Sequence, residues 1–338
     1  MRAALEFTAP DVVPLEYHPS PAGMYEHGER LKELWVRHPG DFGDNAEIPL
    51  ARPDPRWVDA QGRYCELRRD EWGVLWKQLI FGVAGHPVER PLDDWSALTS
   101  FTTPPLPPDC GPEFERERQR ALAHMRTYFL KSGWISIFEV MHAVRRFEDV
   151  LMDVESDEPQ AHRLADLIAG HQANVIDYLL RRGVDAIQFG DDFGTQNAPL
   201  LSPAAWRRFF KPRFAQLMAP ILRAGKRVFF HTCGSSAWLL EDLAELGVCA
   251  IWPQLNVYNE EDLARRCRRL RMAIALHPDR GRLMIHGTPA EVRATVERLA
   301  RVFAVAEGGA WFYIEIDSGF PFENIRALVE AVAALRRA

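Results

Sequence analysis

The chain has 338 residues, of which 26% are charged and 47% are apolar, and its net charge is −6. This length is normal for one large α/β barrel with insertions, and the negative charge argues against the basic surface that nucleic-acid binding needs. No apolar run approaches the roughly 20 residues that span a membrane, and the five scattered cysteines do not indicate a disulfide framework. We therefore expect a cytoplasmic protein.

The first 110 residues are irregular and rich in proline and tryptophan. Proline runs such as that at residues 103–108 indicate extended connectors, because proline has a restricted φ and no amide donor. Residues 25–37 have the periodicity of an amphipathic helix, and residues 70–76 are either a strand or a covering loop. No flexible polar linker follows, so we predict that residues 1–110 form a cap packed on a main domain of residues 111–338.

From residue 113 onward, short apolar strand patterns alternate with helical patterns. Strands that alternate with helices pair in parallel, since no hairpin turn joins them. A glycine-rich dinucleotide motif is absent after the first strand, and polar residues follow almost every strand, so we predict a (β/α)8 TIM-like barrel with an elaborated N-terminal cap. The predicted strands are residues 134–138, 186–189, 228–231, 248–252, 272–276 and 311–316. The predicted helices are residues 113–130, 141–152, 159–182, 203–224, 238–246, 260–268, 289–306 and 321–337.

Polar side chains gather in the loops that follow the strands, where a barrel builds its active site. Helix caps also select such residues, so we assign about half of them to capping and solvation. Asp191 and Asp192 stand out, because two adjacent acids between glycines repel each other unless a cation, an arginine or a proton intervenes. The polar residues at the strand ends are Glu139, Asp191, Asp192, Gln196, His231, Cys233, Gln254, Asn256, His277, Asp279, Arg280, Glu315 and Asp317.

His231 and Cys233 form an H-x-C pair at the end of a predicted strand, before Gly234 and a helical segment. Side chains two apart on a strand point to the same side, so the imidazole and the thiolate can both bind zinc. The alternative interpretation is a small buried cysteine beside a hydrogen-bonded core histidine, which is common. The spacing by itself leaves both interpretations open.

Several motifs together resemble the uroporphyrinogen decarboxylase-like superfamily, including its uncharacterised bacterial members. They are GDDFGTQ at residues 190–196, SP at 202–203, KPR at 211–213, FFHTCG at 229–234, GTPAEV at 287–292 and PFENI at 321–325. Two motifs of the N-terminal region, YEHGE at residues 25–29 and PGDF at residues 39–42, extend the resemblance. It implies a TIM-like barrel over residues 20–335.

The resemblance implies two alternative chemistries. One branch of the superfamily decarboxylates uroporphyrinogen without a metal, but its N-terminal M-R-Q-A-G-R run is absent here. The other branch transfers methyl groups between a thiol or corrinoid and a substrate, with zinc bound by an H-x-C pair and a later cysteine. His231 and Cys233 match that pair, whereas the sequence IEIDSG at residues 314–319 replaces the later cysteine. Since zinc also accepts carboxylates, we expect Glu315 to complete the metal site and Asp317 to handle substrate or protons.

We therefore predict a methyltransferase that depends on zinc or another divalent metal, in a corrinoid-linked demethylation pathway, with a possible corrinoid protein as partner. Asp191, Asp192, His277 and Asp317 are the candidate catalytic residues that manage protons or orient the substrate. The candidate substrate-binding residues are Gln196, Gln254, Asn256, Asp279 and Arg280.

Two further hypotheses remain open at this point. One is a metal-free decarboxylase or lyase, with Asp192 as the acid and Arg280 as the anchor for a substrate carboxylate. The other is a non-catalytic barrel whose ten tryptophans line a site for a corrinoid or tetrapyrrole. Metal content separates the methyltransferase from both alternatives, and turnover separates the decarboxylase from the binding protein.

Overall fold

The computed structural model describes residues 1–336. Its strands are β1 Leu15–His18, β2 Glu66–Arg69, β3 Leu75–Gln78, β4 His86–Glu89, β5 Lys131–Ile135, β6 Ala186–Gly190, β7 Arg227–Thr232, β8 Val248–Pro253, β9 Ala273–Leu276 and β10 Ala310–Glu315. Its α-helices are α1 Arg2–Leu5, α2 Pro21–His27, α3 Glu29–Arg37, α4 Gly111–His124, α5 Phe138–Val144, α6 Phe147–Glu155, α7 Pro159–Arg182, α8 Pro203–Phe209, α9 Lys211–Arg223, α10 Leu240–Glu245, α11 Glu260–Leu270, α12 Leu283–His286, α13 Pro289–Val302 and α14 Phe322–Leu335.

The chain forms two compact units. Unit 1 comprises Met1–Glu66, Gln78–Gly85 and Tyr258–Ala338, and unit 2 comprises Leu67–Lys77 and His86–Val257. Unit 1 therefore combines the start of the chain with its end. The division of the chain at residue 110 stays a prediction.

Unit 2 contains four neighbouring parallel strands, in the order β5, β6, β7 and β8. Its register places Gly190 of β6 opposite His231 of β7, and His231 opposite Trp252 of β8. Since residues that are opposite one another in a sheet project from the same face, these three lie in one row across the strands. Strands β2, β3 and β4 form a separate small sheet within residues 66–89, in which β3 and β4 are antiparallel.

An aromatic core supports the strand ends of unit 2. Phe193 is fully buried directly after Asp192, and its ring stacks 5.2 Å from that of Phe138. Phe210 and Phe214 of the neighbouring helices pack against the same ring. Full burial of an aromatic ring is strongly favourable, so Phe193 anchors the loop that carries Asp192.

Unit 1 contains three neighbouring parallel strands, in the order β1, β10 and β9. Strand β1 lies in the segment that the sequence indicates as a cap, yet it pairs with β10 along all four of its residues. The indole Nε1 of Trp311 in β10 donates to Glu16 of β1 at 3.0 Å. Part of the irregular N-terminal region therefore belongs to a sheet.

The predicted parallel β/α organisation is confirmed. The strands predicted at residues 186–189, 228–231, 248–252, 272–276 and 311–316 correspond to β6–β10 within one residue at each end. The complete eight-stranded barrel stays a prediction. Among residues 1–336, no helix is long and apolar enough to cross a membrane.

Several element boundaries were predicted wrongly, among them that of the helix expected at residues 141–152, which is divided between α5 and α6. The strand expected at residues 134–138 begins at Lys131, and Phe138 already begins α5, because one apolar run serves both elements and periodicity cannot divide it. The helix expected at residues 203–224 is interrupted at Phe210, since Pro212 has no amide donor to continue the first helix. The helix expected at residues 25–37 is interrupted at Gly28, whose φ is 54°.

His27, at the end of α2, is buried against the segment that follows β10. Its side chain is 8% exposed, it hydrogen-bonds with the backbone of Phe320, and its ring lies 5.8 Å from that of Phe322. Burial lowers the pKa of His27, although the negative charge of Glu26 opposes the shift. The fold therefore favours the neutral imidazole.

We predict that His27→Gln makes the stability of the protein less sensitive to mild acid. An ordinary histidine has a pKa of about 6.5, so the unfolded chain takes up a proton there before the folded chain does. The stability that neutral His27 contributes is complete above about pH 6.5, the pKa of an ordinary histidine, and is lost as the pH falls through the pKa of His27 in the folded protein. Urea midpoints measured from pH 7.5 to 5 should fall less in the variant than in the wild type.

The exposed histidine His286 is the matched control, and His286→Gln should leave the pH dependence unchanged. An equal difference in urea midpoint between wild type and His27→Gln at every pH would contradict the prediction.

Candidate metal site

The loop after β6 begins with Asp191, which is 1% exposed. Its two carboxylate oxygens accept the backbone N–H groups of Ile137 and Glu139 at 2.9 and 2.8 Å, at the start of α5. Burial, and then the negative charge of Glu139, raise the pKa of Asp191 well above its usual range. The carboxyl group is enclosed by backbone and joins the ends of β5 and β6, and the catalytic role predicted for Asp191 stays a prediction.

Asp192 points the other way and is partly exposed. Its Oδ1 atom accepts the backbone N–H of Cys233 at 2.7 Å, and its own backbone N–H donates to Glu139 at 3.2 Å. The next residue, Phe193, is buried in the core. Asp191 and Asp192 thus lie in separate surroundings, which removes the repulsion that their adjacency in the sequence suggests.

The orientation of His231 is set by the neighbouring strand. Its Nδ1 atom lies 2.8 Å from the carbonyl oxygen of Trp252, an acceptor, so Nδ1 carries the proton and donates it. The lone pair of the neutral ring is then on Nε2. A histidine that binds a metal usually donates its other N–H group to a carbonyl or carboxylate in this way, which fixes its tautomer.

Three potential ligand atoms meet in front of this nitrogen. Nε2 of His231 lies 3.4 Å from Sγ of Cys233 and 3.5 Å from Oδ1 of Asp192, and the three atoms all lie within 4.8 Å of one another. Zinc bonds of about 2.0–2.3 Å in a tetrahedral site separate the ligand atoms by roughly 3.3–3.8 Å. The distances from Nε2 to Sγ and from Nε2 to Oδ1 both match that geometry. One nitrogen, one sulfur and one oxygen are donors that zinc accepts.

The loops that carry these ligands touch through two glycines. A Cβ atom on Gly234 would lie 2.1 Å from the carbonyl oxygen of Gly194, and Gly234 has a φ of +72°. The N–H of Ser235 donates to the carbonyl of Thr195 at 2.7 Å. This close backbone approach holds the loop of Asp192 against the loop of Cys233.

Glu139 and His142 of α5 surround the site without belonging to the three ligands. The other carboxylate oxygen of Glu139 lies 3.2 Å from Nε2 of His142. Burial opposes ionisation of Glu139, but the hydrogen bond from His142 and the N–H of Asp192 lower its pKa. Glu139 therefore adds negative charge beside Asp192.

The side-chain amides of Gln196 and Gln254 bond to each other at 3.1 and 3.2 Å. The Oε1 atom of Gln254 also accepts the N–H of Gly234 at 3.0 Å. The pair joins the loops after β6 and β8. Asn256 follows in an exposed 3-10 turn.

Unit 1 has its own polar cluster, centred on Arg280. The guanidinium donates from Nε and Nη2 to Asp317 and from Nη1 to Glu315, each at 2.7 Å. The Tyr313 hydroxyl donates to Glu315 at 3.1 Å, and burial, with Glu315, raises the pKa of Tyr313. Glu315, which the sequence analysis places on the metal, therefore has an arginine as its partner here.

The two remaining candidates of unit 1 have local partners. Asp279 accepts the backbone N–H groups of Gly281 and Arg282 at 2.9 and 3.0 Å, as a turn residue does. His277 is buried, and its Nδ1 atom lies 3.1 Å from the carbonyl oxygen of Pro278. Their predicted roles in substrate binding and proton handling stay predictions.

Sequence reasoning identified most of the residues near the site but did not assign all their roles. His231 and Cys233 lie together as expected, whereas the third member of the group is Asp192 and not Glu315. The sequence did contain a signal for Asp192, because the adjacent acids Asp191 and Asp192 suggest a nearby cation. The sequence did not distinguish Trp134 and Trp252 from the other tryptophans, yet their ring centroids lie 5.5 and 4.0 Å from that of His231.

The family model of uroporphyrinogen decarboxylase (URO-D) matches residues 129–335, more than half of the chain. The chain belongs to this family. The match includes Asp192, His231 and Cys233, together with the Arg280 cluster. No curated protein sequence matches the chain significantly.

A solved structure shares the fold of this URO-D family member. A methyltransferase from Methanosarcina mazei is similar with a TM-score of 0.64 and 16% identity, over 98% of this chain and 96% of that chain. A B12-independent methionine synthase from Shewanella sp. W3-18-1 has a TM-score of 0.43 and 14% identity, over 98% and 94% of the two chains. A dihydropteroate synthase from Anaplasma phagocytophilum has a TM-score of 0.41 and 16% identity, over 62% and 76%. At 16% identity the likeness to the methyltransferase concerns the fold alone.

We predict that Gly234→Ala destabilises the protein by about 2–4 kcal/mol, because the methyl group overlaps a backbone carbonyl and the positive φ is strained. Gly170→Ala is the control. Gly170 lies on an exposed position of α7 with no atom within 4 Å of the added Cβ, so alanine should stabilise the helix by about 0.5–1 kcal/mol. Unfolding in urea measures both, and equal effects of the two substitutions would refute the close approach.

Proposed function

We propose that this protein is a metal-dependent methyltransferase of the URO-D family, in which Asp192, His231 and Cys233 hold a divalent ion, best zinc. The observation that supports the proposal is the meeting of three ligand atoms, in which Nε2 lies 3.4 Å from Sγ and 3.5 Å from Oδ1, two separations typical of a tetrahedral zinc site. Three protein ligands leave the fourth position open, as in catalytic zinc sites.

The residues around the ligands fit a metal site. The carbonyl of Trp252 keeps the proton on Nδ1 of His231 and so presents Nε2 as a ligand. The N–H of Cys233 holds Asp192 in place. An ion bound here supplies Lewis acidity toward the heteroatom that carries or accepts the methyl group. Glu139 lies behind Asp192, and its carboxylate adds to the attraction for a cation.

The methyl-transfer part of the proposal rests on the resemblance of the FFHTCG motif to the methyl-transferring branch of the family. The Methanosarcina mazei protein of similar fold is itself called a methyltransferase. We propose a corrinoid as methyl carrier, held by a partner protein, within a demethylation pathway. Asp192 takes the place of the later cysteine of that branch, so the ligand set has one thiolate fewer.

The metal-free decarboxylase is the less favoured alternative. It needs Arg280 as an anchor for a substrate carboxylate, but three guanidinium nitrogens already donate to Asp317 and Glu315. A substrate carboxylate has to displace one of these acids. Release of carbon dioxide from a uroporphyrinogen by metal-free protein would nevertheless support that alternative over ours.

We predict that protein purified without chelators or affinity metals binds about one zinc ion per chain, as measured by elemental mass spectrometry. His231→Ala and Cys233→Ala should each abolish the ion, since two ligands hold an ion poorly, while melting temperatures change little because the scaffold supports the site. Cys65→Ala is the control for loss of a thiol, because Cys65 is an exposed cysteine of unit 1.

Wild-type protein that stays metal-free after incubation with zinc would overturn the proposal, and unfolding of either variant would identify His231 and Cys233 as core residues. Glu315→Gln separates the two possible third ligands. This variant should bind zinc as tightly as wild type, whereas a loss of zinc affinity would indicate that Glu315 is a ligand.

We predict that Asp192→Asn weakens zinc binding at least tenfold, because a neutral amide is a poorer ligand than a carboxylate, and that it changes stability by about 1 kcal/mol or less. The amide oxygen can still accept the N–H of Cys233. Competition with a chromophoric chelator measures the affinity, and calorimetry measures the stability. A large fall in melting temperature with unchanged affinity would mean that Asp192 is a structural residue.

Turnover tests the reaction itself. Zinc-loaded wild type should transfer an isotopically labelled methyl group between a methylated corrinoid and a low-molecular-weight thiol, and Cys233→Ala should not. A protein with zinc but without any transfer to or from a corrinoid would refute the corrinoid-linked pathway and leave the metal site standing.

A further inference from the structure

An open cavity of about 310 Å³ lies in unit 2, beside the start of β5 and the ends of α4 and α7. Small-molecule sites occupy roughly 300–1,000 Å³, so this volume suits a small ligand. The candidate metal ligands lie at the carboxyl ends of β6 and β7, and β5, β6 and β7 are parallel, so the cavity is at the opposite end of the same strands. The residues that line it are Glu117, Arg120, Ala121, His124, Leu130 and Arg182.

Two helix ends bring basic side chains to this cavity. His124 is the last residue of α4, and Arg182 is the last residue of α7. Gly183 follows Arg182 with a φ of +107°, and a Cβ atom on it would lie 3.1 Å from Cε of Met125, the residue after α4. The glycine therefore ends α7 and lets the two helix ends approach each other.

Two nitrogen atoms of these side chains are buried without a hydrogen-bond partner among residues 1–336. They are Nε2 of His124 and Nε of Arg182. The Nη2 atom of Arg182 donates to the neutral hydroxyl of Ser132 at 2.7 Å. A buried polar group without a partner is costly, above all in a charged side chain, so a ligand that supplies acceptor atoms here is favoured.

Stabilisation of the helix ends does not account for the two side chains. Basic residues often neutralise the last carbonyl groups of a helix. Here the N–H of Met125 donates to the carbonyl of Ala121 in α4, and the N–H of Gly183 donates to that of Leu179 in α7, each at 3.0 Å. The turns that follow the helices thus cap these carbonyls themselves.

We propose that this cavity binds a phosphate group, either as inorganic phosphate or as the phosphate ester of a small molecule. Exposed Arg120 joins His124 and Arg182, so three donor side chains can meet the three strong acceptor oxygens of a phosphate group. A carboxylate has only two oxygens and a smaller charge. Glu117 is the one acid among the lining residues, and its carboxylate accepts the hydroxyl of Tyr178.

Titration calorimetry at constant ionic strength tests the site, with inorganic phosphate, glycerol 3-phosphate and acetate as probes. Wild type should bind inorganic phosphate at least tenfold more tightly than acetate. Arg182→Gln should weaken phosphate binding at least tenfold, because it removes a charged donor. Arg120→Gln, a change at an exposed position, should weaken it severalfold. Tighter binding of glycerol 3-phosphate would assign the site to an ester, and tighter binding of inorganic phosphate to the free ion, and either result supports the proposal.

Arg163→Gln is the matched control, because Arg163 is an exposed arginine near the start of α7, and it should bind phosphate as wild type does. Equal affinity of wild type for phosphate and acetate would overturn the proposal. So would unchanged phosphate binding in folded Arg182→Gln. If Arg182→Gln does not fold, Arg120→Gln decides in its place, and unchanged binding there overturns the site.

Phosphate oxygens also bind metal ions, so the same titration is made on Cys233→Ala. This variant, expected to be metal-free, should bind phosphate as tightly as wild type. Loss of binding in Cys233→Ala with full binding in Arg182→Gln would place the phosphate on the ion and overturn the cavity. Arg182→Gln should keep the zinc content of wild type, so that the failure of either proposal is seen separately from that of the other.

Discussion

The candidate site depends above all on one hydrogen bond between neighbouring strands. Nδ1 of His231 donates to the carbonyl oxygen of Trp252 at 2.8 Å, and this fixes both the tautomer and the plane of the imidazole. The acceptor is a backbone carbonyl, so the bond exists because β7 and β8 pair in the observed register. Without this hydrogen bond, nothing would keep the proton on Nδ1 and the lone pair of Nε2 directed toward Cys233 and Asp192.

The candidate site also requires the two ligand-bearing loops, those of Asp192 and Cys233, to approach closely. Gly194 and Gly234 allow backbone contact that no side chain would permit, and buried Phe193 prevents the first loop from withdrawing. Rigid support of this kind matters for a metal site, because ligand positions must be accurate to a few tenths of an ångström. Core packing and site geometry are therefore parts of one arrangement in unit 2.

Charge is divided between the two polar clusters. In unit 1, Arg280 partners Glu315 and Asp317, whereas Asp192 lies beside the thiol of Cys233 and the imidazole of His231. A carboxylate beside a thiol and a neutral imidazole attracts a cation, and a carboxylate held by an arginine has one already. This difference favours Asp192 over Glu315 as a ligand of the proposed ion.

The sequence by itself determined the β/α alternation, the parallel strands from β6 onward and the presence of His231 and Cys233 on one side at the end of β7, because these follow from periodicity within a single segment. It did not determine which acid joins them, since both acids lie at strand ends and look alike. Nor did it show that Gly190 makes room for Trp134, or that part of the N-terminal region pairs with β10. Those features are contacts between segments far apart in the chain, and only the register and packing of the tertiary structure bring them together.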